Sequence, residues 1–377
     1  MFCNANYADL ITAIPLNVRQ GSGCYVATRT LAEGLRRAGI QIRMVTPSVA
    51  LPTYTATRIL FNEGLRWRNL TGKVTLGIDL DGYSVAGRRN APPHVACIKG
   101  VLGDAVQFER GATRASMAFQ ARLEAKHAQR ADLVITVSRY CAERLQELYH
   151  VANAVVVPEL IDLDFWRRLL GANPATPVPE KFTILSVCRF YPRKRLDVLL
   201  RAGARLRDSI PELEIRIVGN GPEDRRLKAI CRELNLSSIV HWLGDLPVNR
   251  LAEEYNRADI FCLPSVQEGF GIVFLEAMAS GKPIVAARSA AVPEVVRSGI
   301  LAEPDNVDAL AEAITGLYRN PDRRHALGSA GRVDVEQFEM NRVAKIFLSQ
   351  LAKVAPGLAT PDSGCEPSFP TAQSGSI

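Results

Sequence analysis

Two glutamates and two glycines stand close together in the segment 264–276, directly after a predicted strand. Glu268 shares a loop with Gly269 and Gly271, and Glu276 follows within the next predicted helix. Glycine lets the backbone approach a ligand closely, and the free N–H groups at a helix start can bind a phosphate. The two carboxylates can accept hydrogen bonds from hydroxyl groups on either side of that phosphate. The pattern predicts a site for such a ligand, and a plain strand–loop–helix with two solvated glutamates is the alternative.

Basic residues follow another predicted strand in the same half of the chain. The strand over 182–188 leads into Arg189, Arg193, Lys194 and Arg195. A diphosphate leaving group needs positive charge nearby, because negative charge develops on it as the bond to it breaks. Taken alone, the cluster also fits a solvated basic turn.

The second half of the chain predicts strands that alternate with helices. Its apolar runs lie at 182–188, 213–218, 239–243, 259–263 and 284–287. Continuously apolar strands separated by helices, such as the one over Leu196–Leu206, indicate a parallel sheet covered on both faces. Ligands in such sheets bind at the carboxyl ends of the strands, where both clusters stand.

The first half predicts a second unit of the same kind. A helix over 25–37 ends at Gly39, and Ser138 is expected to cap a helix that runs to Tyr149. Further runs predict strands at 40–45, 95–98, 133–137 and 155–157 and a helix at 115–130. The opening residues 1–6 are interpreted as a short first strand.

We therefore predict an α/β protein with two Rossmann-like domains whose parallel sheets face an interdomain cleft. Three prolines within 171–180 indicate a linker. The expected order is an N-terminal acceptor domain (1–172), the linker (173–180), a C-terminal donor domain (181–334), a helix (335–354) and a disordered tail (355–377).

The second half resembles the retaining glycosyltransferases of the GT4 family, which have the GT-B fold. Glu268 and Glu276 match the family's Glu-x7-Glu motif, and Arg189 and Lys194 match its diphosphate-binding pair in spacing and strand context. The resemblance covers about 182–347 and includes the strand and loop at 217–222 and the Pro-Glu segment within 286–296.

This resemblance implies transfer of a glycosyl group from a nucleoside diphosphate sugar to an acceptor hydroxyl, with retention of configuration. Arg189 and Lys194 would neutralise the leaving diphosphate, Glu268 would bind the donor sugar and Glu276 the ribose. Further donor contacts are expected at Gly21, Gly23, Gly219, Asn220, Phe270, Gly271 and Ile272. With no candidate for a covalent nucleophile, we expect a front-face displacement assisted by the leaving phosphate. The acceptor would be a sugar, a glycolipid or a small molecule.

The first half matches the family more loosely. Gly21 and Gly23 before the first helix resemble its glycine-rich loop under the donor phosphates, and 156–162 resembles another of its segments. Many relatives carry a histidine after the strand at 95–98, where this chain has Lys99; His94 precedes that strand and is interpreted as structural. Whether Lys99 replaces the histidine stays open. The segment after Val296 is also shorter than the family's glycine-rich stretch.

Two acidic residues raise the question of a metal ion. Asp79 and Asp81 could hold Mg²⁺ on a diphosphate, but their glycine-rich surroundings favour a turn. Because Arg189 and Lys194 already supply positive charge, we expect neither a metal nor another cofactor.

The net charge of +7 favours phosphate-bearing partners, and it is spread along the chain. No nucleic-acid partner is expected. The segment 58–70 mixes cations with apolar residues, so it predicts a surface helix or a peripheral contact with an anionic membrane. Neither a signal peptide nor an apolar run of membrane-spanning length is evident, and the eight cysteines form no CxxC pair. These features favour the cytoplasm, either free or peripheral at the inner membrane surface.

Three other functions fit parts of the sequence. A nucleotide-sugar epimerase of the same fold would process the donor without an acceptor. A dinucleotide oxidoreductase is disfavoured, because Gly21-Ser22-Gly23 lacks the third glycine of the G-x-G-x-x-G pattern. A non-catalytic nucleotide-sugar-binding protein stays open because of the missing histidine.

Overall fold

A computed structural model describes residues 7–14, 18–174 and 181–358, with side chains of the second range from residue 23 onwards. It contains two six-stranded sheets, and all strand pairs within them are parallel. The predicted α/β fold with two Rossmann-like units is confirmed. We call the units built on these sheets the N-terminal lobe and the C-terminal lobe.

The N-terminal lobe has the strand order β2-β1-β3-β4-β5-β6. Its strands are β1 (Tyr7–Ile11), β2 (Gln41–Val45), β3 (Val74–Ile78), β4 (His94–Ile98), β5 (Leu133–Thr136) and β6 (Val155–Val156). Its helices are α1 (Val18–Arg37), α2 (Tyr54–Gly64), α3 (Leu102–Ala105), α4 (Gly111–Arg130), α5 (Arg139–Tyr149) and α6 (Leu163–Ala172), with short 3₁₀ turns at Leu65–Trp67 and Val106–Phe108.

The C-terminal lobe has the strand order β12-β11-β10-β7-β8-β9. Its strands are β7 (Phe182–Val187), β8 (Leu213–Val218), β9 (Val240–Gly244), β10 (Ile260–Leu263), β11 (Ile284–Ala287) and β12 (Ile300–Ala302). Its helices are α7 (Leu196–Leu206), α8 (Asp224–Glu233), α9 (Val248–Arg257), α10 (Ile272–Ala279), α11 (Val292–Val295), α12 (Val307–Tyr318) and α13 (Pro321–Asp334). The chain then forms α14 (Met340–Val354).

Many predicted elements are confirmed, some of them to the residue, as for α7, β8 and β11. Ser138 caps α5 as expected, because its side chain accepts a hydrogen bond from the N–H of Cys141. No strand was predicted at the positions of β1 and β3. Each contains a buried polar residue, Asp9 and Thr75 respectively, which interrupts its apolar run. The strand expected at 1–6 lies outside the described residues.

The last helix returns to the N-terminal lobe and packs on α1. Met340 and Phe347 join the core of that lobe together with Leu31. A Cβ atom on Gly34 of α1 would lie 2.9 Å from the Cγ of Met340, so glycine permits this close approach. The helix expected over 335–354 is divided, because a 3₁₀ turn at Val335–Phe338 precedes the cap of α14 at Glu339.

The expected tail differs from the structure at its beginning. Ala355 and Leu358 are apolar and are buried in the core of the N-terminal lobe. The remainder of the tail, 359–377, and most of the expected linker, 175–180, lie outside the described residues.

A buried ion pair holds α2 against the sheet of the N-terminal lobe. Arg58 donates to both carboxylate oxygens of Asp81, at 2.8 and 3.2 Å. Asn62 donates to the same carboxylate at 2.9 Å, and the backbone N–H of Ala13 donates at 2.7 Å. Arg58 and Asn62 therefore point into the lobe, which corrects the prediction that the whole segment 58–70 could face a membrane.

Replacing Asp81 with Ala should strongly destabilise the N-terminal lobe. The variant would leave the guanidinium of Arg58 buried without its partner, which costs about 3–5 kcal/mol. We expect a clear fall in the midpoint of urea unfolding, followed by circular dichroism. Asp208→Ala is the control, because that side chain is 90% exposed. Equal midpoints for the two variants would contradict the structural role of Asp81.

Candidate functional site

A cavity of about 370 Å³ lies between the two lobes and is lined by residues of both. Four predicted site residues from different loops and helices line it together: Arg189, Lys194, Glu268 and Glu276. The cavity lies at the carboxyl ends of β7, β8 and β10, where ligands bind in open α/β sheets. The structure therefore brings the two charged clusters of the sequence into one space.

The cationic side of the cavity follows β7. Arg189 donates to the side-chain oxygen of Asn220, whose amide donates in turn to Asp245. The carboxylate of Asp245 lies 3.9 Å from the guanidinium of Arg189. Asn220 does not itself line the cavity, so its contact is with Arg189 rather than with the cavity space.

Lys194 lies at the end of a 3₁₀ turn after β7, and its ammonium group contacts Glu268 at 2.5 Å. The two neighbouring arginines contact other acidic residues. Arg193 lines the cavity and faces Glu109 of the N-terminal lobe at 3.6 Å. Arg195 pairs with Asp305 at 2.7 Å and does not line the cavity. Of the four cations in the sequence cluster, three therefore reach the site.

Gly219 directly follows β8, beside the loop that carries Arg189. Its φ angle is +116°, in the region that favours glycine. A Cβ atom there would lie only 2.0 Å from the carbonyl oxygen of Cys188. Glycine at this position therefore keeps the loops after β7 and β8 close together.

The acidic side of the cavity follows β10. Gly271, with a φ angle of +91°, directly precedes α10, and Phe270, Gly271 and Ile272 all line the cavity. Glu276 lies further along α10 and accepts a hydrogen bond from the hydroxyl of Tyr255 at 2.9 Å. Burial raises the pKa of Glu276 to about 7, against the opposing effect of the Tyr255 hydrogen bond.

Apolar side chains of the C-terminal lobe form another part of the cavity wall. They are Val187, Val218, Leu246, Leu251, Leu263 and Val273. Val187, Val218 and Leu263 are the last residues of three neighbouring strands. Sequence reasoning identified these strands but not their contribution to the site, because only the sheet order brings the strand ends together.

The N-terminal lobe contributes charged groups to the opposite wall. Lys99 pairs with Glu159 at 2.9 Å, and its backbone N–H donates to the side chain of Asp79 at 2.8 Å. All three residues line the cavity. Burial raises the pKa of Asp79 to about 6, although the nearby cations oppose the shift. Burial opposes the charge on Lys99, but its attraction to Glu159 outweighs this and raises its pKa.

His94 lies away from the cavity, in the interior of the N-terminal lobe. Its ring contacts the hydroxyl of Thr75 at 2.7 Å and the ring of His127 at 2.6 Å. Burial and the neighbouring His127 hold the pKa of His94 well below its usual value. Of the two candidates near β4, only Lys99 reaches the site.

The glycine pair of the first half is placed differently from the prediction. Gly21 and Gly23 lie within α1, which begins at Val18, and not in a loop before it. Gly23 nevertheless lines the cavity, and a Cβ atom added there would meet nothing within 4 Å. The space next to Gly23 is therefore open on the side of the cavity.

The structure separates Asp79 and Asp81, the two acidic residues considered for a metal ion. Asp79, in a left-handed turn conformation (φ +55°), faces the cavity, whereas Asp81 is fully buried in its ion pair with Arg58. No group of three or more metal-ligating side chains occurs within the part of the chain that the structure describes. Nor is any helix in that part long and apolar enough to cross a membrane.

Two family sequence models match most of the chain. One, described as "Glycosyl transferases group 1", matches residues 173–334, and the other, "Glycosyltransferase Family 4", matches residues 22–165. Together they cover both lobes of the structure.

Curated relatives are about one-third identical over part of their length. The chain is 32% identical over 219 residues to the GDP-mannose-dependent alpha-(1-6)-phosphatidylinositol monomannoside mannosyltransferase of Mycolicibacterium smegmatis, covering 54% of this chain and 57% of that protein. It is 32% identical over 225 residues to the D-inositol 3-phosphate glycosyltransferase of Kribbella flavida, covering 55% of this chain and 53% of that protein. The chain thus spans little more than half the length of these relatives.

Solved structures share the fold over nearly the whole chain. Sucrose-phosphate synthase from Thermosynechococcus elongatus has a TM-score of 0.77 at 22% identity and covers 92% of this chain and 98% of its own. Anabaena Alr3699/HepE, solved in complex with UDP and glucose, has a TM-score of 0.70 at 16% identity and covers 92% and 99%. At these identities the likeness is one of fold.

Proposed function

The chain belongs to the group 1 glycosyltransferases of family 4, and on that premise we propose that it transfers a glycosyl group from a nucleoside diphosphate sugar to an acceptor hydroxyl. The observation that carries this proposal is the convergence of Arg189, Lys194, Glu268 and Glu276 on one cavity. Two cations suit a diphosphate, and two carboxylates suit the hydroxyls of the groups on either side of it.

The donor would lie along the C-terminal wall of the cavity. The apolar strand ends of β7, β8 and β10 would contact the nucleobase, and Glu276 would accept hydrogen bonds from the ribose. Arg189 and Lys194 would bind the diphosphate, with the backbone of Gly271 and Ile272 beside it, and Glu268 would bind the donor sugar. Lys194 also pairs with Glu268, so a bound diphosphate would share this ammonium group with that carboxylate.

The reaction would proceed with retention of configuration. The bond between the anomeric carbon and the diphosphate oxygen breaks, and the acceptor oxygen forms its bond on the same face of the sugar. The proton of the acceptor hydroxyl passes to the departing phosphate. Arg189 and Lys194 would stabilise the negative charge that develops on this leaving group, in a cleft that limits access of water. On this mechanism the two side chains supply the charge, and no metal or other cofactor is required.

The acceptor would bind against the N-terminal wall, which carries Asp79, Lys99 and Glu159. The relatives named above act on a phosphatidylinositol mannoside and on inositol 3-phosphate, which supports a sugar, glycolipid or small-molecule acceptor here. Transfer is favoured over epimerisation because both names describe transferases. A non-catalytic binding protein would bind the donor without forming product.

The donor class can be tested by calorimetry with UDP-, GDP- and ADP-sugars, starting with GDP-mannose because of the named relatives. Product analysis with a pool of acceptors then separates transfer from epimerisation and from binding alone. Absence of binding to every nucleotide sugar would contradict the proposed function.

We also propose a peripheral contact with an anionic membrane through a smaller patch than the sequence indicated. Trp67 is 82% exposed and stands between Arg66 and Arg68. Arg68 and the exposed Arg88 and Arg89 line a cavity of about 130 Å³. An exposed tryptophan among arginines suits the interface of an anionic bilayer.

Replacing Lys194 with Ala should reduce turnover by about 10²–10³-fold, because removing one charge that stabilises the leaving group has an effect of this order. Lys345→Ala is the matched control, since that lysine is exposed and lies on α14, which packs on the N-terminal lobe. The measurement is the rate of nucleoside diphosphate release in the presence of acceptor. Turnover within about threefold of the unmodified protein would rule out the assigned role of Lys194.

Nucleotide-sugar affinity should rise with pH through the ionisation of Glu276. Its pKa of about 7 means that the carboxylate form, which accepts hydrogen bonds from both ribose hydroxyls, increases from about one-tenth at pH 6 to about nine-tenths at pH 8. The dissociation constant measured by calorimetry should therefore fall about tenfold over that range. A nucleotide sugar is the suitable probe, because its diphosphate is esterified at both ends and therefore has no ionisation of its own between pH 6 and 8. Glu276→Gln should remove the dependence of the dissociation constant on pH. An unchanged dependence in this variant would show that Glu276 is not the group that titrates.

The membrane patch should bind anionic vesicles. We expect co-sedimentation with vesicles of phosphatidylglycerol but not of phosphatidylcholine, and a loss of it in the double variant Arg66→Glu, Arg68→Glu, since each basic residue near the surface contributes about 1 kcal/mol. The double variant Arg201→Glu, Arg225→Glu, at exposed positions on α7 and α8, changes the net charge by the same amount and is the control. Equal sedimentation of both variants would contradict the patch.

A further inference from the structure

The start of helix α5 in the N-terminal lobe is docked against the C-terminal lobe. Its first-turn N–H groups need acceptors, because no residue of the same helix can accept from them. Ser138 supplies one, as its side chain accepts from the N–H of Cys141 at 3.1 Å. The acceptor for the other two N–H groups comes from the opposite lobe.

Glu294 is that acceptor. One of its carboxylate oxygens accepts from the N–H of Arg139 at 2.9 Å, and the other accepts from the N–H of Tyr140 at 2.8 Å. The side chain of Arg139 lies 3.5 Å from the same carboxylate. A negative charge is also favoured at a helix start, where the helix dipole is positive. Glu294 thus binds α5 as a capping residue would, but from across the cleft.

A second contact joins α5 to the loop that carries Glu268. The hydroxyl of Ser138 donates to the carbonyl of Gly269 at 2.8 Å. Gly269 approaches the N-terminal lobe so closely that a Cβ atom there would lie 2.5 Å from the carbonyl oxygen of Lys99. Any larger residue at this position would push the two walls of the cavity apart.

The two contacts are linked within the C-terminal lobe. The N–H of Ala291, three residues before Glu294, donates to the backbone carbonyl of Glu268 at 3.3 Å. Ser289 donates to the carbonyl of Val266 at 2.7 Å in the same loop. The segment that carries Glu294 and the loop that carries Glu268 therefore form one unit, and α5 contacts both parts of it.

We propose that Glu294 is a positioning residue for glycosyl transfer. By capping α5 across the cleft, it holds the lobes in the arrangement that places the wall of Lys99 and Asp79 opposite Glu268. The side chains proposed to bind the donor all lie in the C-terminal lobe, so Glu294 acts on turnover and not on nucleotide binding. This inference rests on the proposed function.

The test compares Glu294→Ala with the unmodified protein. We expect kcat for transfer to fall at least about tenfold, because small displacements of reacting groups have large effects on rate, while the dissociation constant of the nucleoside diphosphate stays within about twofold. Hydrolysis of the donor should rise relative to transfer, since a looser cleft admits water. Glu294→Gln keeps one carbonyl acceptor and should recover part of kcat. Glu312→Ala, an exposed glutamate on α12, should leave all values unchanged.

Amide hydrogen exchange provides a readout that does not depend on activity. Peptides covering the start of α5 should exchange faster in Glu294→Ala than in Glu312→Ala. If the unmodified protein binds no nucleotide sugar, the proposed function fails while this exchange result still tests the contact. The positioning role is overturned if Glu294→Ala retains kcat within about twofold, or if nucleotide binding weakens in parallel with kcat.

Discussion

Positive charge held at the carboxyl ends of a parallel sheet is the constraint on which the site depends. Such charge must be placed where a diphosphate can reach it and where water cannot fully screen it. The strand order of the C-terminal lobe meets this requirement, because β10, β7 and β8 are neighbours. The loops after β7 and β10 therefore emerge side by side and bring Lys194 into contact with Glu268, although 74 residues separate them in sequence.

The N-terminal lobe completes the site as the opposite wall. Its charged groups at the cavity, including Lys99, stand on an interior that contains paired polar groups. Arg58 and Asp81 neutralise each other, and the rings of His94 and His127 contact one another with lowered pKa values. Buried polar groups that are fully paired favour one arrangement over others. A wall of this kind can set the position of an acceptor relative to a donor bound on the other lobe.

Some parts of this account could be predicted from the sequence and others could not, for physical reasons. Continuous apolar runs located most strands, so Arg189 and Glu268 could be placed at strand ends. The strand β1 was not predicted at 7–11, because the buried Asp9 interrupts its pattern and the partner of Asp9, Arg43, lies 34 residues away. The burial of Arg58 depends on Asp81, and no local pattern identifies such a pair.

The contact between Glu294 and α5 could not be predicted from the sequence either, because it exists only when the two lobes meet. The prediction of a glycine-rich loop at Gly21 and Gly23 was wrong because glycine favours loops locally, whereas here α1 extends through both positions.

The most direct measurement is a crystal structure of the chain with a bound nucleoside diphosphate sugar. The account predicts diphosphate oxygens within hydrogen-bonding distance of Arg189 and Lys194 and the ribose at Glu276. A nucleotide bound elsewhere, or in the cavity with its diphosphate away from both cations, would contradict it.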